Sequence, residues 1–406
     1  MVLLPFGIGY YLSYLYRTVN IVITKPLAGD LSLSAADLGM LTSIYFIAFA
    51  AFQTPLGVLL DRYGPRRVQA VLLFFAVAGG ALFASGDDLF ALAVGRGLIG
   101  LGVSGCLMAA FKANALWFPL ERLPLVNGCT MAFGSFGALS ATVPVEWLFE
   151  LLGWRPIFMI LAALTVVAII LIFFCVPERQ AASSAPSASV TGIAGQFRDL
   201  GLIYSSAHFW RVSLVTFLHN SIYLSYQSLW MGPWLRDVAG MPLPAIAQTL
   251  LWFNAGMFAG VLVIGAIADR LQKFGIRPIV VMGAGIGLSI TVQVMFALEF
   301  SVIAAPLCFA FGFFGSSSLI AFSVMAQDFP ARLVGRVNTA QNMLTFIGAF
   351  AAQWGVGLII NLWPELGEGR YDPAGHQAAL IAVIGIEFAA FLWFLVPRSK
   401  GWGVPQ

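Results

Sequence analysis

Charge is scarce in this sequence. Of its 406 residues only 10% are Asp, Glu, Lys or Arg, whereas a soluble domain carries roughly 25%. Hydrophobic residues make up 60% of the chain, and the mean hydropathy is +0.90. A soluble protein with so little charge could not keep its surface hydrated or stay dispersed. The composition therefore excludes the soluble classes and indicates an integral membrane protein.

The motifs of enzymes and ATP-driven pumps are also absent. The sequence contains no G-x-x-x-x-G-K-[ST], H-E-x-x-H, G-x-S-x-G or paired C-x-x-C pattern. The cysteines have no metal-ligand spacing, and we interpret them as small buried hydrophobic residues: Cys106, Cys129, Cys175 and Cys308. We therefore expect no enzymatic activity, no cofactor and no bound metal. The short cationic loops give no support for nucleic-acid binding.

Long apolar runs recur twelve times along the chain, and a helix needs about 20 such residues to cross a bilayer. Six runs precede and six follow the Ser/Ala-rich stretch that begins "PERQAASSAPSASV". The sequence predicts an all-α integral membrane protein with twelve transmembrane helices. The expected units are an N-terminal six-helix bundle (1–178), a cytoplasmic linker (179–206) and a C-terminal six-helix bundle (207–406).

Basic residues of the predicted loops fall mostly on one side of the membrane. An N-terminus inside the cell leaves only Lys25, Arg155, Arg236 and Arg370 on the opposite side, where most of the loop acids also lie. Because cytoplasmic loops carry an excess of Lys and Arg, we expect both termini in the cytoplasm. The short loops favour the inner membrane of a bacterium.

One charged stretch occurs twice. "GVLLDRYGPRRV" (57–68) follows the second apolar run, and "GAIADRLQKFGIRP" (265–278) follows the eighth, which sets Asp61 and Asp269 208 positions apart. A second pair, "FPLERLPLVN" (118–127) and "FPARLVGRVN" (329–338), is offset by 211. Two pairs of similar stretches, each separated by nearly the same number of residues, indicate an internal duplication of a six-span unit.

The first of these stretches carries the pattern G-x-x-x-D-R-x-G-x-R-R, and "RGLIGLG" in span four fits R-x-x-x-G-x-G. On these motifs the chain resembles the major facilitator superfamily over essentially its whole length. The resemblance implies two pseudo-symmetric bundles that work by rocker-switch alternating access around a cavity lined by spans one and seven. "YLYRTVN" in span one also resembles the organic anion/cation symporter branch, with Tyr16 in place of an acid. The G-P-x-x-G-G pattern of drug/proton antiporters is absent from span five.

We interpret the repeated charged stretch as a conformational latch on the cytoplasmic face. Gly57 would let span two approach a neighbour closely, and Gly64 would permit a tight turn. Asp61 would lie near helix N-termini or arginines of the other bundle, where its charge is stabilised. The predicted latch residues are Gly57, Asp61, Arg62, Gly64, Arg66, Arg67, Asp269 and Arg270. In the alternative interpretation the arginines only fix the topology.

Ionisable residues inside the spans are costly, so each is a functional candidate. Tyr10, Tyr14 and Arg17 share one helical face of span one. Arg17 lies too deep to reach the surface easily, and a guanidinium binds carboxylate or phosphate bidentately. It could instead pair with Glu387 of span twelve. The predicted substrate-binding residues are Arg17, Tyr10, Tyr14, His219, Tyr223, Tyr226, Gln227, Gln341, Asn342 and Lys112.

Several of these residues have a second interpretation. His219 could titrate as a coupling group, or a backbone carbonyl could satisfy it. Gln341 and Asn342, on the polar face of span eleven, could line the cavity or form hydrogen bonds between helices. Lys112 could extend to the cytoplasmic surface. We assign Arg96 and Glu387 to coupling or packing.

With Glu146 of span five treated as interfacial, cations outnumber anions within the predicted spans, with Arg17, Arg96 and Lys112 against Glu387. A positively biased cavity favours anionic substrates. We therefore predict a monomeric secondary active transporter of a small organic anion, driven by a proton, another ion or the substrate's own gradient. One alternative is a proton-driven exporter of hydrophobic drugs or metabolites. Another is a membrane receptor or assembly factor that kept the fold without transport.

Overall fold

The computed structural model describes residues 2–119, 122–177, 201–329, 333–367 and 369–396. These ranges fold into helices with short connections and contain no β-strand. Nine of the described helices are long and apolar enough to cross a membrane, and a tenth span results if the bent pair around Ala141 counts as one. The first and seventh spans are not among these ten.

Six helical spans make up the first half. Their bounds are Leu3–Thr18 with Asn20–Leu31 for span one, Ala35–Ser85 for spans two and three together, Leu89–Val103 with Cys106–Trp117 for span four, Leu123–Ser140 with Val143–Leu152 for span five, and Trp154–Ile170 with Leu171–Cys175 for span six. Gly64, at φ +77°, breaks the long helix between spans two and three. A left-handed backbone angle favours glycine, so this residue makes the tight turn.

The second half also has six spans. Their bounds are Ala207–Ser225, Tyr226–Trp230 and Met231–Asp237 for span seven, Leu243–Lys273 for span eight, Pro278–Ala297 for span nine, Ala304–Gly315, Ser316–Leu319 and Ile320–Asp328 for span ten, Val334–Ile360 for span eleven, and Pro373–Leu395 for span twelve. The predicted linker lies largely outside the described residues, so the boundaries at 178 and 207 stay predictions.

Side-chain caps begin three of the even-numbered spans at the same end of the bundle. Ser34 accepts a hydrogen bond from the Asp37 amide before span two, and the Asp37 carboxylate accepts one from the Ser34 amide. Asp88 and Asp372 cap spans four and twelve in the same way. These caps satisfy amides that the first helical turn leaves without partners.

Glycines bring helix backbones into direct contact within each half. A Cβ at Gly100 of span four would collide with the Tyr45 carbonyl of span two. In the second half, a Cβ at Gly312 of span ten would collide with the Phe253 carbonyl of span eight. Tyr45 and Phe253 are 208 positions apart, the same separation as Asp61 and Asp269. The duplication is therefore visible in the packing as well as in the sequence.

The two halves contact each other at one end, which we call the closed end. There Gln353 of span eleven donates a hydrogen bond from Nε2 to the Thr42 hydroxyl of span two, at 2.6 Å. Gly39 packs against the backbone of Gln353, and Gly357 packs against the Ala35 carbonyl. We call the opposite end, which carries the 62–67 turn, the arginine end.

Candidate functional site

Arg17 lies on span one where the two halves meet, and its side chain is only 6% exposed. Four aromatic rings surround its guanidinium carbon. The distances to the ring centroids are 4.6 Å for Tyr14, 5.4 Å for Phe346, 5.6 Å for Phe49 and 5.9 Å for Tyr45. We call these four side chains the aromatic box.

Three spans from both halves build the aromatic box. Tyr14 comes from span one, Tyr45 and Phe49 come from span two, and Phe346 comes from span eleven. The rings of Phe49 and Phe346 lie 4.2 Å apart between centroids, so the box closes across the two halves. The Tyr45 hydroxyl is directed at the Ser13 carbonyl, 3.5 Å away.

Arg17 has no charged partner among the described side chains, and its Nε makes no hydrogen bond. Asn20, three residues later, also has a buried Oδ1 without a donor. An unpaired cation within a membrane costs about 2.5–3.5 kcal/mol or more in free energy. Each cation–π contact with a ring face offsets about 0.5–2 kcal/mol of that cost. None of the four rings carries an anionic group that would balance the charge of the guanidinium, so the group retains its capacity to bind an anion.

Arg96 is the second buried arginine, and its surroundings differ. Its Nη1 donates to the Tyr16 carbonyl at 3.1 Å, and its guanidinium lies over Phe83 and Phe158. The side chain is 0% exposed and is enclosed by spans one, three and six of the first half. Arg96 therefore joins helices within one bundle, whereas Arg17 lies at the contact between bundles.

Glu387 does not contact Arg17, which differs from one of the two interpretations of the sequence. Its carboxylate accepts from Gln293 Nε2 at 2.9 Å and lies 2.6 Å from His219 Nδ1. The other ring nitrogen of His219 lies 3.2 Å from the Gly315 carbonyl. His219 and Glu387 are both 0% exposed, so in this conformation neither lines a surface that a substrate could reach.

Two of the other predicted residues of span seven, Tyr223 and Gln227, contact span eight of the second half. Tyr223 is buried and stacks on Phe253 of span eight, with ring centroids 5.4 Å apart. Tyr226 is buried, and Gln227 donates to the Asn254 side chain at 3.2 Å. Residues 226–230 form a π-helical turn, so the regular helical spacing that would put Tyr226 on the same face as His219 and Tyr223 fails there.

The remaining predicted substrate-binding residues divide between buried and half-buried positions. Tyr10 packs edge-on against Tyr14 at 5.2 Å, next to the aromatic box. Gln341 is 0% exposed and donates to the Thr216 hydroxyl, whereas Asn342 is half-buried. Lys112 is half-buried in the second segment of span four. Of the predicted set, the structure thus brings together Tyr10, Tyr14 and Arg17.

The predicted latch residues lie at the arginine end. Arg62 and Arg67 are exposed, and the Arg66 guanidinium lies 4.8 Å from the Phe173 ring of span six. Asp269 and Arg270 are exposed and form no ion pair with a described side chain. The side chain of Asp61 lies outside the described residues.

The close approach expected at Gly57 is not present, because a Cβ built there meets nothing within 4 Å. The cysteines also differ in part from expectation. Cys106 and Cys308 are buried, but Cys129 and Cys175 are exposed. A residue type alone does not show which face of a membrane helix it occupies.

Three of the four rings of the aromatic box were not among the residues predicted from the sequence. Tyr45 and Phe49 lie four residues apart, which puts them on one face of span two. That spacing was the available signal, but aromatic pairs are common in a chain with 14% aromatic residues. Phe346 had no such signal, since its role depends on how span eleven meets span two.

Comparison with known proteins identifies the family. The sequence profile of the Major Facilitator Superfamily matches residues 6–353. The chain belongs to the major facilitator superfamily. It is accordingly a multi-pass membrane transporter of small molecules rather than an enzyme. Among the described residues, no group of three His, Cys, Asp or Glu side chains is placed to hold a metal ion.

Similar proteins within the superfamily include carriers of small organic anions. A hexuronate transporter of Escherichia coli (strain K12) is 25% identical over 98% of this chain and 94% of its own length. A probable sulfoacetate transporter of Cupriavidus necator is 26% identical over 65% of this chain and 63% of its own length. This chain therefore aligns with less than two thirds of the sulfoacetate protein.

A solved structure shares the fold of this chain. The bacterial homologue of the human lysosomal transporter Spinster, described as inward-facing and unoccupied, superimposes with a TM-score of 0.78. The two chains are 18% identical, and the match covers 97% of this chain and 95% of the other.

Proposed function

We propose that this protein is a secondary active transporter that moves a small organic anion by rocker-switch alternating access. Arg17 carries the proposal, because it is a nearly buried guanidinium without a charged partner at the contact between the two halves. A bound carboxylate, sulfonate or phosphate would supply the missing counter-charge through paired hydrogen bonds. The aromatic box would contact the carbon skeleton of the substrate.

The substrate class is supported from two independent directions. The buried cations Arg17 and Arg96 have no acidic partner among the described side chains, while the buried Glu387 is matched to His219. Hexuronate and sulfoacetate, named for two of the similar proteins, are both small anions. A positively charged site whose charge is balanced only by a bound anion is expected to select anionic substrates.

The orientation follows from the distribution of basic residues. The arginine end would face the cytoplasm of a bacterial inner membrane, with both termini on that side, and the closed end would face outward. The conformation would then be inward-facing. The exposed side chains of Asp269 and Arg270 agree with a latch that is released in this state. We further propose that the protein acts as a monomer.

A thermal-shift screen of the purified protein tests the substrate class. The probes are galacturonate, sulfoacetate and inorganic phosphate, with a hydrophobic cationic drug for comparison. We expect an anion to raise the unfolding midpoint of the wild type and to have no effect on Arg17→Ala. Arg17→Lys keeps the charge but loses the planar pair of donors, so it should bind at least tenfold more weakly. Arg370→Ala, an exposed arginine at the closed end, is the matched control and should respond like the wild type.

Other outcomes would overturn the proposal. Equal stabilisation of wild type and Arg17→Ala would remove Arg17 from the binding site. Stabilisation only by the cationic drug would favour an exporter of hydrophobic compounds. Binding of an anion without any flux into proteoliposomes would favour a receptor that uses the transporter fold.

A further inference from the structure

A buried polar cluster in the second half takes no part in the proposed anion site. It consists of His219 on span seven, Glu387 on span twelve and Gln293 on span nine. His219 and Glu387 are 0% exposed, and Gln293 is 1% exposed. An ionisable pair within a membrane bundle is expensive to keep, and such pairs mark proton or ion pathways in transporters.

The hydrogen-bond geometry indicates how many protons this cluster holds. His219 Nε2 lies 3.2 Å from the Gly315 carbonyl, which can only accept, so we assign a proton to Nε2. Gln293 donates to one carboxylate oxygen of Glu387. His219 Nδ1 and the other carboxylate oxygen lie 2.6 Å apart. Two bare lone pairs would repel each other at that distance, so a second proton lies between them.

The second proton makes the cluster electrically neutral, whether it resides on the imidazole or on the carboxyl. Without it, a neutral ring would face a bare carboxylate, and a net negative charge would be buried without compensation. Tyr223 is a further titratable group that faces the pair, and its ring stacks on His219 with centroids 6.5 Å apart.

No cation among the described residues adjoins the pair. On spans seven and twelve the nearest is Arg211, eight residues before His219 and therefore about 12 Å along the helix. Its guanidinium is bonded to the Phe394 carbonyl. Spans nine and ten contribute an amide and a carbonyl to the cluster but no charge. The proton alone can balance the charge of Glu387.

Span seven links the cluster to the contact between the halves. Nine residues beyond His219, Ser228 donates to the Gln353 side chain at 2.7 Å, and Trp230 donates to the Gln353 carbonyl at 2.8 Å. Gln353 is the residue that bonds Thr42 across the closed end. A change in the charge of the cluster therefore acts on a helix that also holds the closed end.

We propose that His219 and Glu387 form a proton-binding site that couples transport to a proton gradient. This inference rests on the proposed transport function. The protonated pair favours the dry packing of the present conformation. Loss of the proton leaves a buried negative charge and favours a conformation in which water reaches the pair. The proton moves between Nδ1 or the Glu387 carboxyl and water, and no other bond changes.

Spectroscopy of the full-length protein in nanodiscs tests proton binding without any substrate. The chain has three histidines, so the ¹⁵N signals of His219 can be assigned by comparison with His219→Gln. We expect either an imidazolium signal from His219 or an infrared band of a protonated carboxyl, and either should disappear in Glu387→Gln. A singly protonated ring together with an ionised Glu387 at every pH would overturn the proposal.

Proteoliposome transport of the anions named above tests coupling. We expect Glu387→Gln to lose proton-driven accumulation at least tenfold while retaining anion exchange, because exchange requires no net proton movement. His219→Gln should behave alike, and it serves as the second variant if Glu387→Gln does not fold. Glu150→Gln, an exposed glutamate on span five, is the matched control and should accumulate the anion like the wild type.

The two proposals fail in distinguishable ways. Proton-driven accumulation by Glu387→Gln at the wild-type level would overturn the coupling site and leave anion transport intact. Absence of transport by the wild type itself would overturn the proposed function, while the spectra still decide whether the pair holds the proton.

Discussion

Asp328 shows how one carboxylate joins three helices at the arginine end. It follows the apolar part of span ten, and its oxygens lie 2.9 Å from His208 Nε2 of span seven and 3.0 Å from Arg277 Nη2 before span nine. The hydrogen bond from His208, together with the charge of Arg277, holds the pKa of Asp328 below its usual value. The ionised carboxylate therefore stabilises the folded protein.

Asp328→Asn should lower stability at neutral pH by about 0.5–1 kcal/mol, since both partners are partly solvated. The folded-state pKa lies below that of the unfolded chain, about 3.9. The contribution is therefore present above that value and is lost as the pH falls through the folded pKa. Unfolding midpoints of wild type and variant should differ at neutral pH and converge in acid. The exposed Asp269→Asn should show no such difference, and a gap that persists in acid would contradict the ion-pair explanation.

At the residue scale, physical rules identified the individual charges but not all of their partners. Depth and spacing were enough to select Arg17, Arg96 and Glu387, because a charge in an apolar run is conspicuous. They offered Arg17 as a possible partner of Glu387 and did not point to His219. The partner of Glu387 depends on the rotation of spans seven and twelve about their axes, which helix packing sets and sequence spacing leaves open.

At the scale of elements, glycines control how closely helices pack. Gly100→Ala places a methyl group against the Tyr45 carbonyl, a backbone atom that cannot rotate away. We expect a loss of about 1–3 kcal/mol in stability, typical of overpacking. Gly385→Ala on span twelve meets nothing within 4 Å and is the matched control. Thermal unfolding of both variants in detergent checks this, and equal midpoints would mean that spans two and four can separate without cost.

The twelve spans were predictable because apolar length and the internal repeat are long-range patterns in the sequence. The π-helical turn at 226–230 was not, since a single wide turn leaves no compositional trace. Regular helical spacing therefore does not describe the face that Tyr226 occupies. The free space at Gly57 was likewise hidden, because a glycine in a helix signals a close contact only when a neighbour is present.

At the scale of the whole molecule, one side-chain hydrogen bond spans the closed end between Gln353 and Thr42. Thr42→Val keeps the shape and removes the acceptor. Losing such a bond costs about 1 kcal/mol, which would shift the balance away from the closed conformation about fivefold. Distances between spin labels on spans two and eleven, measured by electron resonance in a cysteine-free background, should show a larger separated population.

Thr291→Val is the matched control for this prediction. Thr291 is exposed on span nine and donates only to the Gly287 carbonyl of its own helix, at 3.0 Å. Its replacement should leave the label distances unchanged. A Thr42→Val protein with the wild-type distribution would mean that the glycine contacts at Gly39 and Gly357 hold the closed end without help.

The ring of Phe346 makes two contacts. It packs against Phe49 of the other half, and it also faces the charge of Arg17. An anion seated on Arg17 weakens the pull of that charge on the ring, because the pair as a whole is close to neutral. Under the proposed function, the contact between Phe49 and Phe346 would therefore be more stable in the vacant carrier than in the loaded one. A bound substrate would thereby promote the conformational change that releases it, and the empty carrier would seldom undergo that change.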